Sequence, residues 1–359
     1  MKKKAGRAVA CAGVRVSAAP QRRLPTNSLD RRAAMRNKFL LVLLLMAMSG
    51  QAAAWDDSLT ADSTFSIIAR DVAAGELGMA VQSKAHAVGS RTISARGGLA
   101  VIAHQAVSNP MYGQIGLELL QRGYSPQQAL DFMLRGDEGR DSRQVAILDM
   151  QGRSAAWTGK SAADWKGHRC TPNYCVEGNT LAGPQVLEGM VKHFEAAANQ
   201  PLAERLLAAL DGGQAAGGDR RGMQAAALVI VKPLAGAAGF SDRAVDVRVD
   251  DHRTPIPELR RVFNVLRSGQ MLSQAMAAFR TNQPDEALRI ALAARDLSPD
   301  NDNTWVTLAY LYMASGRKSE CFEALRKAID VNPANKAQLP RNALFEPLQL
   351  DPDFQRIFN

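Results

Sequence analysis

The chain has none of the spacings that hold metals. Its five histidines, His86, His104, His168, His193 and His252, are scattered, and neither His-x3-His nor Cys-x2-Cys occurs, which removes the usual zinc geometries. Calcium-loop spacing is missing too. The glycine-rich stretch Ala216–Gly222 lacks the Gly-Lys-Ser/Thr ending of a phosphate-binding loop. No metal or cofactor is therefore expected. The apolar run Phe39–Met48 is too short for the roughly 20 residues that a membrane-spanning helix needs. A basic surplus is also missing where it would matter. The net charge is +9, but residues 1–54 hold eleven Lys/Arg against one acid, Asp30, so the 44 basic and 35 acidic residues of the whole chain become 33 and 34 beyond them. That balance excludes a polyanion-binding class.

What is present begins with an export signal. Arg36 and Lys38 form a positive n-region, Phe39–Met48 the apolar h-region, and Ala52–Ala54 a small-residue cleavage site. Cleavage there would start the mature protein at Trp55, in the periplasm or outside the cell. Met35 would itself begin a compact signal peptide, which suggests a start site assigned too early; Arg22-Arg23 and Arg31-Arg32 leave a twin-arginine signal as an alternative. Among the four cysteines, Cys170 and Cys175 flank Thr-Pro-Asn-Tyr in a loop, and an oxidising compartment makes them a small-loop disulfide. Cys321 lies in an amphipathic helix, as buried thiols do.

Local patterns set out two regions. Strand-like runs Thr64–Asp71 and Leu77–Lys84 meet across a hairpin, and a third strand spans Leu99–Gln105. Helices at 112–122 and 126–134 follow, the second opened by Ser125 and Pro126. Strands return at 145–150, 154–158 and 177–181, then helices at 184–198 and 201–210, the latter expected to end at Asp211-Gly-Gly213. The final strands are 223–231 and 244–250. Several strands are apolar on both faces and need cover on both sides, which two packed sheets with helices outside each, an αββα sandwich, supply. Beyond Pro257 the pattern is helical. Pro299 and Pro333, Ala294 and Ala328, and Ala275 and Ala309 stand 34 residues apart, the tetratricopeptide period. The division expected is a leader over 1–54, a linker or propeptide over 55–63, the sandwich over 64–256 and helical repeats over 257–359.

Thr64 is open to two readings from position alone. It is either a β-branched residue suited to the pleat or, were the chain cut before it, a nucleophile whose own α-amino group, with a pKa of about 8, takes the hydroxyl proton. The stretches Thr64–Asp71, Gly78–Lys84, Asn109-Pro-Met-Tyr-Gly113, Gly178-Asn-Thr-Leu-Ala-Gly183, Ala216–Gly222 and Asp246–His252, in that order, resemble the domain of unknown function 1028 family. The resemblance implies the fold of the N-terminal nucleophile hydrolases, in which a Thr, Ser or Cys begins the first strand after self-cleavage. It raises Thr64 as the nucleophile, although the nine residues Trp55–Ser63 would first have to be removed.

Supporting roles follow from acyl transfer. Lys84 would hold the amine neutral, with Arg96 as an electrostatic alternative. Asn179, or the amides of Gly97-Gly98, would meet an oxyanion. Gln105 and Asp219, with Arg96, are substrate-side candidates, Asp219 free to pair with Arg220 or Arg221. Asp246, Asp250, Asp251 and His252 form the densest acidic group, for which salt bridges to Arg248 or Arg253 are favoured over a cation. The expected function is an exported amide or peptide hydrolase with a helical module docking a protein or peptide partner. The alternative is a periplasmic binding protein that keeps the scaffold without the chemistry.

Overall fold

A computed structural model describes residues 61, 62 and 64–359; residues 1–60, with the signal peptide expected over 35–54, and Ser63 lie outside the described residues. The strands are β1 (Ala61–Asp62), β2 (Thr64–Asp71), β3 (Glu76–Ser83), β4 (Ile93–Arg96), β5 (Ala100–Val107), β6 (Arg143–Asp149), β7 (Ser154–Thr158), β8 (Gly167–Cys170), β9 (Tyr174–Asn179), β10 (Ala225–Val231) and β11 (Arg243–Val249). The helices are α1 (Val88–Thr92), α2 (Met111–Gln121), α3 (Pro126–Arg135), α4 (Gln185–Ala196), α5 (Leu202–Ala215), α6 (Pro255–Arg280), α7 (Pro284–Leu297), α8 (Asp302–Ala314), α9 (Lys318–Val331), α10 (Asn335–Gln338) and α11 (Pro352–Phe358). One sheet runs β1-β5-β6-β7 with β4 also on β5, the other β11-β10-β3-β2-β9-β8. Every pairing is antiparallel, so the region is α+β rather than a crossover-wound parallel sheet.

Strand alternation builds three apolar layers. On β2, Phe65, Ile67 and Ala69 join Ala226, Leu228 and Ile230 of β10 under α4, α5 and the start of α6. The opposite set, including Ile68, Met79 and Val81, meets Val101, Ala103, Ala146 and Leu148 of the other sheet. The remaining face of that sheet, with Ile102, Val145 and Ile147, packs against α2 and α3. Each of the large side chains sealed in this way stabilises the fold by about 1.5–3 kcal/mol. Short strands β4 and β8 carry no apolar run and were not expected. Pairing with β5 and β9 holds them, with Ile93, Ala95 and Cys170 packed against the inter-sheet core, and β8 is joined to β9 by the Cys170–Cys175 disulfide, Cα–Cα 4.1 Å.

One expected boundary is overturned. Helix α5 does not stop at Asp211-Gly-Gly213 but runs on to Ala215. The glycines serve close approach rather than termination: a Cβ on Gly212 would lie 2.3 Å from the carbonyl oxygen of Gly189 on α4, and one on Gly213 would lie 2.7 Å from Met190. Gly212→Ala is therefore expected to lower the melting temperature by several degrees in a thermal unfolding scan. The neighbouring carbonyl cannot rotate away, and overpacking of about 1–3 kcal/mol outweighs the roughly 1 kcal/mol that alanine contributes to helix propensity. An unchanged or raised melting temperature would show that α4 and α5 are free to separate.

Helix α6 belongs to two cores. Ile256, Leu259 and Phe263 complete the sandwich, whereas Leu272 and Ala275 join α7–α9 and the C-terminal turns. Glu204 of α5 pairs with Arg260 of α6 at 3.0 Å, and Arg260 also reaches Asp211. The C-terminal region is all helical, α6 packing on α7 and α8 on α9. Ala275, Ala294, Ala309 and Ala328 are all fully buried. Asn301 Nδ2 donates to Ser268 Oγ at 2.8 Å, and the residues one 34-residue period later, Asn335 and Asp302, make the corresponding contact at 2.8 Å.

Candidate active site

The layer between the sheets is apolar along most of its length and polar at one end. The register decides this: Thr64 stands opposite Ser83 on β3 and Asn179 on β9, Ser66 opposite Glu177, and Gln105 opposite Gln144. These seven side chains occupy the inward phase of their strands and are buried. Thr64 Oγ1 donates to Ser83 Oγ at 3.2 Å. Ser66 Oγ donates to Gln105 Oε1 at 2.7 Å, and Gln105 Nε2 donates to Gln144 Oε1 at 2.9 Å and to the Thr64 carbonyl at 3.4 Å. Asn179 Nδ2 donates to the same Gln144 oxygen at 3.0 Å. Gln144 Nε2 in turn faces Thr158 Oγ1 and the carbonyls of Gly167 and Gly178 at 2.9–3.0 Å. Gln144 is thus the hub that ties both sheets to the Thr64 end, and a network satisfied in this way rigidifies what it touches.

Glu177 is the exception. Its carboxylate is buried with no hydrogen-bond partner on either oxygen, and desolvation pushes its pKa well above the usual carboxylate range. A neutral carboxyl is the form that this position favours. Two non-glycine residues beside the network also hold left-handed backbone, Ala106 at φ 65° and Thr180 at φ 54°. Such conformations cost on the order of 1–3 kcal/mol and cluster at functional sites. The turn at Thr180 ends β9 at Asn179, so the strand expected over 177–181 is shifted toward the N-terminus.

The structure brings Thr64, Asn179 and Gln105 together, with Asp219 close by and Lys84 and Arg96 apart from the hydroxyl. The Gln105 amide holds the Thr64 carbonyl rather than standing open to substrate. Asp219 bridges to Leu181 and pins two segments: its carboxylate accepts from the Lys84 amide at 2.9 Å and pairs with Arg221 at 3.2 Å. Arg221, not Arg220, is its partner. Lys84 follows Ser83 and so takes the opposite phase. It is exposed, its Nζ donates to the Met223 carbonyl at 3.4 Å, and it lines a shallow surface pocket with Gln224, Asp251 and His252. Arg96 pairs with Ala100 at the far end of β5, about 17 Å of strand from Gln105, where it meets Gln121 at 3.4 Å. The Gly97 amide lies there too, donating to Asp242 at 2.7 Å. Asp246 pairs with Arg248 at 2.8 Å, and the described residues contain no group of three or more ligands suited to a metal.

Ser66, Ser83, Gln144 and Glu177 were not singled out from sequence. Their signal was a polar residue in the buried phase of an otherwise apolar strand, repeated at the same end of four strands. His104, on the other face of β5, sits between Ser94 Oγ and Ser108 Oγ at 3.0 Å each, and burial pushes its pKa down to about 4. Its ring resonances are expected to show no titration in an NMR series above pH about 6; a midpoint in the ordinary range near 6.5 would show that the imidazole is solvated.

The model of a family of unknown function, DUF1028, matches residues 64–259, more than half of the chain. The chain belongs to this family. Its crystal-structure relatives include a DUF1028 protein from Silicibacter pomeroyi, 30% identical, with a TM-score of 0.51 over 56% of this chain and 84% of that one. No curated protein matches the chain. The DUF1028 match opens on Thr64 and closes at Leu259, so the polar network lies inside it and helices α7–α11 lie beyond it.

Proposed function

We propose that this DUF1028 protein is an exported hydrolase of amide or peptide-like bonds, with the fold of the N-terminal nucleophile hydrolases and Thr64 as nucleophile. The position of Thr64 carries the reading. It is the first residue of a buried central strand, its hydroxyl lies at the polar end of the inter-sheet layer, and the chain two residues earlier is already paired in the other sheet. A family match that begins at the same residue supports it. In the processing step Oγ1 adds to the Ser63 carbonyl carbon, the Ser63–Thr64 C–N bond breaks, and the hydroxyl proton passes to the Thr64 nitrogen. Water then hydrolyses the ester, releasing the Ser63 carboxyl and returning a proton to Oγ1.

Turnover repeats this on a substrate bond, with the freed α-amine as base and donor to the leaving amine. Asn179, opposite Thr64 in register and held through Gln144, is the side-chain donor assigned to the developing oxyanion. The C-terminal helices are read as a tetratricopeptide-like dock for a protein or peptide, from buried alanines and Asn contacts that repeat every 34 residues.

N-terminal sequencing of protein exported by its host tests the reading: Thr64 as first residue is expected. A single species beginning at Trp55 would overturn it and favour a binding protein that keeps the scaffold. Complete burial of Thr64 in the uncut chain is the observation on that side.

A further inference from the structure

One edge of β5 is shared by two strands. Strand β4 covers Ala100–Ala103, from Arg96 opposite Ala100 to Ile93 opposite Ala103. Strand β1 covers the other end, with Asp62 opposite Ala106 and Ala61 opposite Val107. Strand β6 lies along the opposite edge over the whole of Ala100–Ala106. The end of β5 nearest Thr64 is therefore closed only by β1 among the described residues. A single residue, Ser63, separates β1 in one sheet from β2 in the other.

A two-residue pairing is marginal without a covalent tether. Cutting the Ser63–Thr64 bond removes that tether, so β1 departs. It leaves the backbone that β1 covered at Ala106–Val107 as an open strand edge, except for the Val107 carbonyl, which still accepts from Arg143 Nη1 at 2.8 Å, and such edges recruit extended chains. The left-handed turn at Ala106 sits where that edge meets Gln105, whose amide holds the Thr64 carbonyl. Self-cleavage and turnover share one nucleophile, so the acyl side of a substrate bond must approach Thr64 from the side where Ala61–Asp62 pairs with β5.

We propose that the substrate is an extended peptide whose residues on the acyl side of the scissile bond add to the β5 edge at Ala106–Val107 as a short antiparallel strand, in the place of Ala61–Asp62. The inference rests on Thr64 being the nucleophile and adds the class of substrate and its direction of binding. Recognition is through the main chain, so the enzyme reads how many residues precede the scissile one more than it reads what they are. In the reaction Thr64 Oγ1 forms an ester with the peptide acyl group, the peptide C–N bond breaks, and the leaving amine takes the proton. Water then cleaves the ester.

The test uses the full chain as purified, with intact mass establishing that it begins at Thr64, and three acetyl-capped aminomethylcoumarin amides ending in Ser, Asp-Ser and Ala-Asp-Ser. Extension to three residues is expected to raise kcat/KM by about tenfold or more through KM, one good main-chain hydrogen bond being a factor of about ten. N-methylation of the peptide nitrogens that face β5 removes the gain. The hexapeptide Ser-Leu-Thr-Ala-Asp-Ser, the sequence of residues 58–63, competes. Equal kcat/KM for the one-residue and three-residue amides, with the acyl ester on Thr64 still seen by mass, would overturn the edge and leave the nucleophile standing. Absence of any Thr64-starting chain would overturn both.

Discussion

Replacing Thr64 by alanine is expected to abolish the proposed processing and hydrolysis while leaving the fold intact. Intact mass of Thr64→Ala is expected to show the upstream residues retained, and turnover of a peptide amide is expected to fall by about four orders of magnitude or more, the scale seen when an attacking group is deleted. Structural loss is small by comparison. The substitution removes one hydrogen bond, to Ser83, worth about 1 kcal/mol, and a methyl group worth about as much again. Phe65, Ile67 and Ile68 continue to hold β2 in both of its apolar layers. Thr64→Ser keeps an Oγ in place and is expected to process, more slowly. Processing that proceeds normally in the alanine variant would mean that another group, or another protease, makes the cut, and the catalytic reading would fall with it.

The second large effect is on stability and concerns Glu177. Its carboxyl is protonated in the folded protein at pH values where the unfolded chain has already ionised, because burial without a partner raises the folded pKa. A raised acid pKa means that the stabilisation is complete at acid pH and drains away as pH rises. The decline is about 1.4 kcal/mol per pH unit, from the ordinary carboxylate range upward until the folded group ionises. Glu177→Gln keeps the shape and removes the titration. The variant is expected to match the parent below pH about 4 and to exceed it progressively above that, measured as the difference in denaturant midpoint across a pH series. A difference that does not vary with pH would show that Glu177 is ionised and solvated in the native protein. His104 works in the opposite sense. Its depressed pKa stabilises fully above about 6.5 and is lost as pH falls toward about 4, a contribution of ~3 kcal/mol. The two groups together place the stability maximum in mildly acid to neutral solution.

Much of the architecture was legible because it rests on local pattern. Ser125 caps α3 through a capping box with Gln128, and Pro126 opens it, as the sequence had indicated. The hairpin between β2 and β3 turns through 72–75, closed by Gly75 at φ 68°. Less legible were elements whose formation depends on a neighbour. β4 and β8 have only four residues each and are strands because β5 and β9 lie beside them. Gly212 and Gly213 read as a stop signal because glycine is a poor helix former, but the contact with α4 requires them inside the helix. The candidate site divides in the same way. Thr64 stands at a strand start and Gln105 near a strand end that the pattern marks, Asn179 closes β9 where the pattern places it near the start of a strand over 177–181, and for Lys84 and Arg96 charge type does not say which face, or which end of the sheet, they take.

Composition and periodicity by themselves determined that the chain is α+β and then all-α, that it has no metal-binding spacing, and that its surplus of positive charge lies within residues 1–54. They do so because burial phase and charge are properties of each residue and its near neighbours. Only tertiary structure decided that Gln144 is the hub, that Glu177 has no partner, and that β1 and β4 divide one edge of β5. Those facts arise from registers between strands up to about a hundred residues apart in sequence, and a register of that kind leaves no trace in either strand alone.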